Sequence, residues 1–383
     1  MYLSTQEALN SFIEHCGNAE ILAIDTEFLR EKTYYPKLCL MQFATEDMQV
    51  IVDPLADGMD LRACKELLTR TSLLKVFHAG EQDRSIIFRY IGVPAAPVFD
   101  TQWAAMLLGL PQQASLAAVV KHYTSVELSK TDSFSDWSQR PLTDTQKEYA
   151  LDDVRYLPAI ARRMMDDLHA CGRGDWLRDD FSKMEAAAGY RIDPDSLWHK
   201  VKYTASLNRE QLARVQALAA WREATAQRRD LPRKWVLPDE LLVEIARRNP
   251  DSPEALFSIR GLHEKLGKHW IQDVLNALAQ VRKLPETEWP QRERPRNHPS
   301  DVVGILDLMN ALVRIRAKEL HIAHSYLATS DELTRLASGE RSALAILEGW
   351  RRECIGNELL DLLKGEIMLS LVDGELKVTR ATR

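Results

Sequence analysis

The chain has few cysteines and no cysteine pairs. Cys16, Cys39, Cys64, Cys171 and Cys354 are scattered, odd in number and never spaced as CxxC. Such spacing supports neither a disulfide framework nor a zinc knuckle, and it fits a reducing cytoplasm. No apolar run approaches the roughly 20 residues that span a bilayer, so no membrane is expected as a partner. The opening MYLSTQEALN has neither a basic nor an apolar stretch, and no secretory signal is read there. A basic excess is also missing. The net charge of −6 argues against a general nucleic-acid coat protein.

What is present is a soluble globular composition, 45% hydrophobic and 28% charged. At 383 residues the chain exceeds one ordinary core, and two or three domains are expected. Charge is unevenly spread. Residues 1–200 carry 21 Lys+Arg against 30 Asp+Glu, net −9. Residues 201–300 carry 18 against 13, net +5, and residues 301–383 carry 11 against 13, net −2. An acidic block followed by a basic one suggests a metal-dependent catalytic domain joined to a polyanion-contacting one.

The first ~170 residues read as α/β. Ile21-Leu22-Ala23-Ile24, Leu38 to Phe43, Val50-Ile51-Val52 and Leu73 to Phe77 are rich in strand formers. Helical spacing appears at 60–70, 81–90, 100–109, 114–123 and 143–169. Strands early and helices later predict a mixed sheet flanked by helices. No strand is read after about residue 176. Residues 208–283 and 301–370 are helical in pattern, separated by a stretch with Pro285, Pro290, Pro295 and Pro299 that reads as a linker.

Carboxylates fall at three places beside apolar elements. Asp25-Thr26-Glu27 closes the first apolar strand, with Asp25 and Glu27 on one face. Two such groups repel unless a cation sits between them. His78-Ala79-Gly80-Glu81-Gln82-Asp83 follows a strand. Gly80 permits a tight turn there, and Asp83 falls in the next helical turn. Tyr149 and Asp153 are i and i+4 on one helix face, while Asp152 points about 100° away, toward solvent. Each piece alone has a bland explanation: a strand end, a helix cap, a surface hydrogen bond. Converging without a matching run of Lys or Arg, they point to bound divalent metal.

In this order the pieces DTE, HAGEQD and YALDD resemble the three motifs of the DEDD superfamily of 3′→5′ exonucleases. The tyrosine four residues before the last aspartate marks its Tyr-type branch. The flanking DTEFLREKTYYPKLCLMQFA, VFDTQWAA and LSKTDSFSDWSQRPLTDTQKEYALDDVRYL are similar to the bacterial ribonuclease D family, over essentially residues 1–200. The resemblance implies a ribonuclease H-like exonuclease domain at 1–170 and two Mg²⁺ or Mn²⁺ ions held by Asp25, Glu27, Asp83 and Asp153. Asp25 would bridge both ions, Glu27 and Asp153 would complete the site of the attacking water, and Asp83 would hold the second ion. Tyr149 would orient the water. A free tyrosine titrates near ~10, so positioning suits it better than proton abstraction. Further substrate contacts are expected from Phe28, His78, Gln42, Lys130 and Trp137.

Residues 208–288 resemble an HRDC domain, a helical nucleic-acid-binding module. Trp221-Arg222, Leu231-Pro232-Arg233-Lys234-Trp235-Val236-Leu237-Pro238-Asp239 and Ile259-Arg260-Gly261 carry that likeness. Arg233 and Lys234 would contact phosphates. Residues 171–207 would be a helical connector, 289–300 a Pro-rich linker, and 301–375 a second, divergent HRDC-like domain, both such domains all-α. The expected activity is trimming of RNA 3′ ends, with precursor tRNA and other structured RNA 3′ ends as partners. A monomer in the cytoplasm is expected. The rivals are a 3′→5′ DNA exonuclease and an RNA-binding protein with an inactive nuclease fold.

Overall fold

The computed structural model describes residues 1–128, 135–190, 192–291 and 302–381. Two compact units emerge. One comprises Met1–Glu27, Cys39–Gly189 and Asn297–Arg383; the other comprises Phe28–Leu38 and Tyr190–Arg296.

The first unit is built on a six-stranded mixed sheet. Its strands are β1 (Tyr2–Leu3), β2 (Ile21–Leu29), β3 (Lys37–Ala44), β4 (Gln49–Val52), β5 (Leu74–Phe77) and β6 (Val98–Asp100). The order is β1-β4-β3-β2-β5-β6. β2, β5 and β6 run parallel, and β3 runs antiparallel to β4. The central strands are apolar on both faces because helices cover them. Those helices are α1 (Gln6–His15), α2 (Lys65–Thr69), α3 (Glu81–Ile91), α4 (Thr101–Leu107), α5 (Leu116–Thr124), α6 (Asp144–Arg155) and α7 (Leu157–Ala170). The continuous helix expected over 143–169 is two helices. Pro158, in the first turn of α7, has no N–H to donate to Val154 and its ring would crowd that carbonyl. The first apolar strand also runs on to Leu29, so the DTE triplet lies inside β2 and does not close it.

The C-terminal segment packs in this same unit. Met309, Leu312 and Val313 of its long helix Val302–Leu320 join one apolar cluster with Leu107, Ile160 and Met164. Trp350 stacks on Trp176 at 4.2 Å and donates to the Trp176 carbonyl at 3.1 Å. The segment is not all-helical as expected. β7 (Ile367–Val372) and β8 (Glu375–Arg380) form an antiparallel hairpin. Its two-residue turn is Asp373-Gly374, both at positive φ (54° and 81°), as a type I′ turn requires.

The second unit is helical apart from the short stretch Phe28–Leu38. After α8 (Arg178–Glu185) of the first unit come α9 (Arg209–Arg229), α10 (Arg233–Val236), α11 (Asp239–Arg248), α12 (Pro253–Phe257), α13 (Leu262–Lys265) and α14 (Ile271–Val281). Asn208 and Gln211 form a capping box that starts α9. The core holds Leu212, Val215, Leu218, Leu242, Ile245 and Val274, and it includes Tyr34.

Tyr34 is pinned there by charge. Its hydroxyl donates to Glu223, which Arg233 also grips, one contact being 2.7 Å. The Arg233 guanidinium lies 5.1 Å from the Tyr34 ring centre, and the Tyr35 amide donates to Asp230 at 2.9 Å. Burial alone would raise the Glu223 carboxyl, but Arg233, Tyr34 and Gln227 outweigh it and hold it below the usual range. Replacing Arg233 with Met should therefore unfold this unit more easily. Arg233 is partly exposed but Glu223 is buried, so removing the arginine leaves an uncompensated buried carboxylate, at a cost on the order of 1–2 kcal/mol. A melting temperature unchanged within a degree would refute this role for Arg233.

Candidate active site

The four acidic residues are delivered by three local devices. β2 carries Asp25 and Glu27 at alternate positions. α6 begins with a capping box of Thr143 and Gln146, and it presents Tyr149 and Asp153 one turn apart. Asp83 sits in the first turn of α3. The turn into α3 needs Gly80, because a Cβ there would lie 2.5 Å from the Phe77 Cβ. Buried Asp100 holds this turn by accepting from the amides of Ala79 (3.1 Å) and Gly80 (3.0 Å).

The structure brings these groups together. Carboxylate oxygens of Asp25, Glu27 and Asp153 all lie within 4.8 Å of one another. Asp83 is buried beside them and accepts a hydrogen bond from Thr26. Burial first, then Asp83, Asp153 and Glu27, push the Asp25 carboxyl well above its ordinary range. Burial and the carboxylates of Asp153 and Asp83 push Glu27 up to about 8. Burial, then Asp152 and Asp83, push Asp153 up to about 7. Among the described residues, no Lys or Arg counts among the main influences on these three groups. This is an oxygen-only donor set crowded beyond what it tolerates alone, which fits hard divalent cations such as Mg²⁺ or Mn²⁺.

A pH-dependent stability follows. The folded, metal-free protein holds protons on Glu27 and Asp153 at pH values where the unfolded chain has released them. That contribution is complete below about pH 4 and is lost as pH rises through about 7 to 8. The melting temperature in chelator should fall between pH 5 and 8, and saturating Mg²⁺ should flatten the slope. Identical slopes with and without metal would contradict it.

Tyr149 stands beside the cluster on α6, with its ring 5.9 Å from that of Trp137. Trp137 is buried, and its segment is fastened to the sheet. Arg140 donates to both oxygens of Asp53 at 2.6 Å, to the Cys39 carbonyl at 2.9 Å and to the Trp137 carbonyl at 2.8 Å. Trp137 therefore backs Tyr149 and does not line an open strand path.

Other expected contacts also lie inside the fold. Gln42 has no exposed surface, because β3 is covered on both faces. Both ring nitrogens of His78 are taken, by Thr101 (2.9 Å) and the Ala114 carbonyl (3.0 Å). Burial lowers its affinity for a proton, Nε2 donates to the Ala114 carbonyl, and the Thr101 hydroxyl that meets Nδ1 also donates to the Phe77 carbonyl at 3.1 Å. Arg233 is committed to Glu223. Asp152, expected in solvent, is half-buried and paired with Arg155 at 2.6 Å. Phe28 is half-buried next to Glu27 in β2. Lys130 and residues 292–300 of the expected linker, with Pro295 and Pro299, lie outside the described residues.

Lys234 is exposed. It lines a cavity of about 690 Å³ in the helical unit with Lys200, Lys202, Tyr203 and Trp235. Tyr203 and Trp235 are 60% and 48% exposed, which suits base stacking. The sequence reading missed these four. Their signal was the pairing of lysine with an aromatic, in Lys202-Tyr203 and Lys234-Trp235.

Comparison with known proteins agrees with this geometry. The family model for 3′-5′ exonucleases matches residues 1–169, and that for HRDC domains matches residues 211–283. Ribonuclease D of Sphingobium indicum is 38% identical over 381 residues, covering 99% of this chain and 98% of that protein. The Nitrobacter hamburgensis ribonuclease D is 36% identical over 382 residues, covering 100% and 99%. The crystal structure of Escherichia coli RNase D, described as an exoribonuclease involved in structured RNA processing, superposes with a TM-score of 0.82 at 29% identity. It covers 95% of this chain and 98% of that one.

Proposed function

We propose specific roles for these residues from the premise that the chain belongs to the ribonuclease D family and is a 3′→5′ exoribonuclease. Asp25 would be shared between two divalent ions. Glu27 and Asp153 would complete one ion site and Asp83 the other. Bound there, the two ions supply charge neutralisation at the phosphate and ready ionisation of the attacking water. Tyr149 would orient that water through its hydroxyl, held in place by the Trp137 ring. Phe28, next to Glu27 in β2, is offered as a stacking surface for the terminal base. Lys234, with Lys200 and Lys202, would hold RNA phosphates without reading sequence.

The observation that carries this reading is three carboxylates within 4.8 Å, raised by burial and by one another, with Tyr149 one helical turn from Asp153. The proposed substrate is precursor tRNA with a 3′ extension, and the product is nucleoside 5′-monophosphate released stepwise. Residues 301–375 are proposed as a divergent HRDC-like module, supported by their helical content. A monomer in the cytoplasm completes the proposal, in keeping with five free cysteines. No described helix is long and apolar enough to cross a membrane.

The test is incubation of a 3′-extended precursor tRNA, and of matched RNA and DNA oligonucleotides, with Mg²⁺, Mn²⁺ or chelator. Metal-dependent release of 5′-mononucleotides, faster from RNA, is expected. DNA cleaved as fast as RNA would overturn the substrate assignment, and RNA left intact in metal would overturn the roles.

A further inference from the structure

A second basic feature lies in the first unit, lined by none of the clustered carboxylates. The loop after α4 (Gly109 to Gln112) faces the end of the Val302–Leu320 helix (α15) across a cavity of about 500 Å³. Arg314, Lys318, His321 and His324 line one wall, and all four are exposed. Arg314 and Lys318 are i and i+4 on one helix face, and His321 follows directly past the helix end. Arg316, on the same helix, is neutralised by Glu358 (2.6 and 2.8 Å) and by Glu319. The four lining groups take part in none of the ion pairs among the described residues.

The two walls are held in place. Arg173 donates to the carbonyls of Leu107 and Leu320, one on each wall. The Ala323 amide donates to the Met106 carbonyl at 2.8 Å. Gly109, at φ +86°, sits so close that a Cβ would be 3.3 Å from the His321 carbonyl oxygen. His321 itself is left-handed, at φ 50°.

A helix C-terminus attracts cations, which accounts for Lys318 and His321 in a purely structural way. It does not account for Arg314, nearly two turns back, or His324, beyond the helix end. The background does not account for them either, since residues 301–383 have net charge −2. Arg and Lys exclude a metal ion from this pocket. The wall has no Phe, Tyr or Trp on which a base would stack, so the groups suit phosphate oxygens.

We propose that this cavity binds the sugar-phosphate backbone of the RNA substrate, away from the 3′ end being cleaved. The proposal rests on the exoribonuclease reading. It predicts that substrate length matters at this site.

The test is the double variant Arg314→Gln/Lys318→Gln in the full chain, with a 3′-extended precursor tRNA and a tetranucleotide as substrates. For the long RNA, KM should rise on the order of tenfold with kcat unchanged, and the salt dependence of log KM should fall by about one unit per side chain removed. Tetranucleotide kinetics should not change, and Arg314→Lys/Lys318→Arg should restore the long-RNA KM. An unaltered long-RNA KM, or an equal loss on the tetranucleotide, would overturn the proposal. So would protection of the wild type, but not the double variant, against heat by adenosine 5′-monophosphate with no change in long-RNA KM; the cavity would then be a mononucleotide site. A wild-type protein inert on both substrates in Mg²⁺ would instead strike the nuclease reading itself.

Discussion

Asp25→Asn is expected to slow release of 5′-mononucleotides by at least about a thousandfold while making the metal-free protein harder to melt. The two effects have one origin. Asp25 is half-buried among Glu27, Asp83 and Asp153, and its loss of solvent and their charges all resist its ionisation. In the proposed site that strain is relieved by the cations it recruits. Asparagine fills the same volume but carries no charge, so it cannot share two ions. Losing several kcal/mol of charge stabilisation at the phosphate costs about one decade of rate per 1.36 kcal/mol. In chelator, at a pH high enough for all four carboxyls to ionise, removing one of four like charges stabilises the fold. Each kcal/mol gained raises the melting temperature by about 2–4 °C in a domain of this size. Added Mg²⁺ should then stabilise the wild type strongly and the variant little. Near-wild-type cleavage by Asp25→Asn would end the proposed metal role. A drop in melting temperature in chelator would show that the carboxylate is structural.

The parts of this molecule that were legible in the sequence are those where one local rule decides. Ile21 to Ile24 is apolar on both faces and became a buried strand. Gly80 was read as a tight turn, and its Cβ position is indeed blocked by Phe77. Tyr149 and Asp153 stand one turn apart because helical spacing leaves no other arrangement. Two local signals were present and overlooked: Pro158, which breaks the long helix, and Asp373-Gly374, which turns the C-terminal hairpin. Leu369 pairs with Val378 across that hairpin, whose first strand is nearly all apolar and whose second alternates polar with apolar residues.

What was not legible depends on partners distant in sequence. The apolar run around Gln42 announces a strand covered on both sides, but nothing in it says whether the Gln42 side chain itself stays open to a substrate. His78 looks available until Thr101 and Ala114, 23 and 36 residues away, occupy its nitrogens. Arg233 reads as a phosphate contact within its basic run, yet Glu223 and Tyr34, the latter 199 residues away, claim it. Charge patterning identifies a basic segment, but only packing says which of its cations are already paired. The same limit hid Arg314 and Lys318, whose segment has no net positive charge to advertise them.

Tyr149→Phe is expected to lower kcat about a hundredfold and leave KM within about twofold. Orienting a nucleophile by one hydrogen bond falls at the lower end of the 10²–10⁴ range for groups that handle the reacting proton. It therefore costs less than loss of Asp25. The ring remains in the variant, and with it the packing against buried Trp137 at 5.9 Å, so folding should change by under about 1 kcal/mol. Trp137→Leu separates support from chemistry. It retains the Tyr149 hydroxyl but removes the wall behind the ring, and the cavity it leaves costs on the order of 3 kcal/mol. Its kcat should fall less than that of Tyr149→Phe although its fold is weaker. If activity tracked stability across the two variants, Tyr149 would be a packing residue. If Tyr149→Phe were fully active while Asp153→Asn was dead, the water would be positioned by the carboxylates alone.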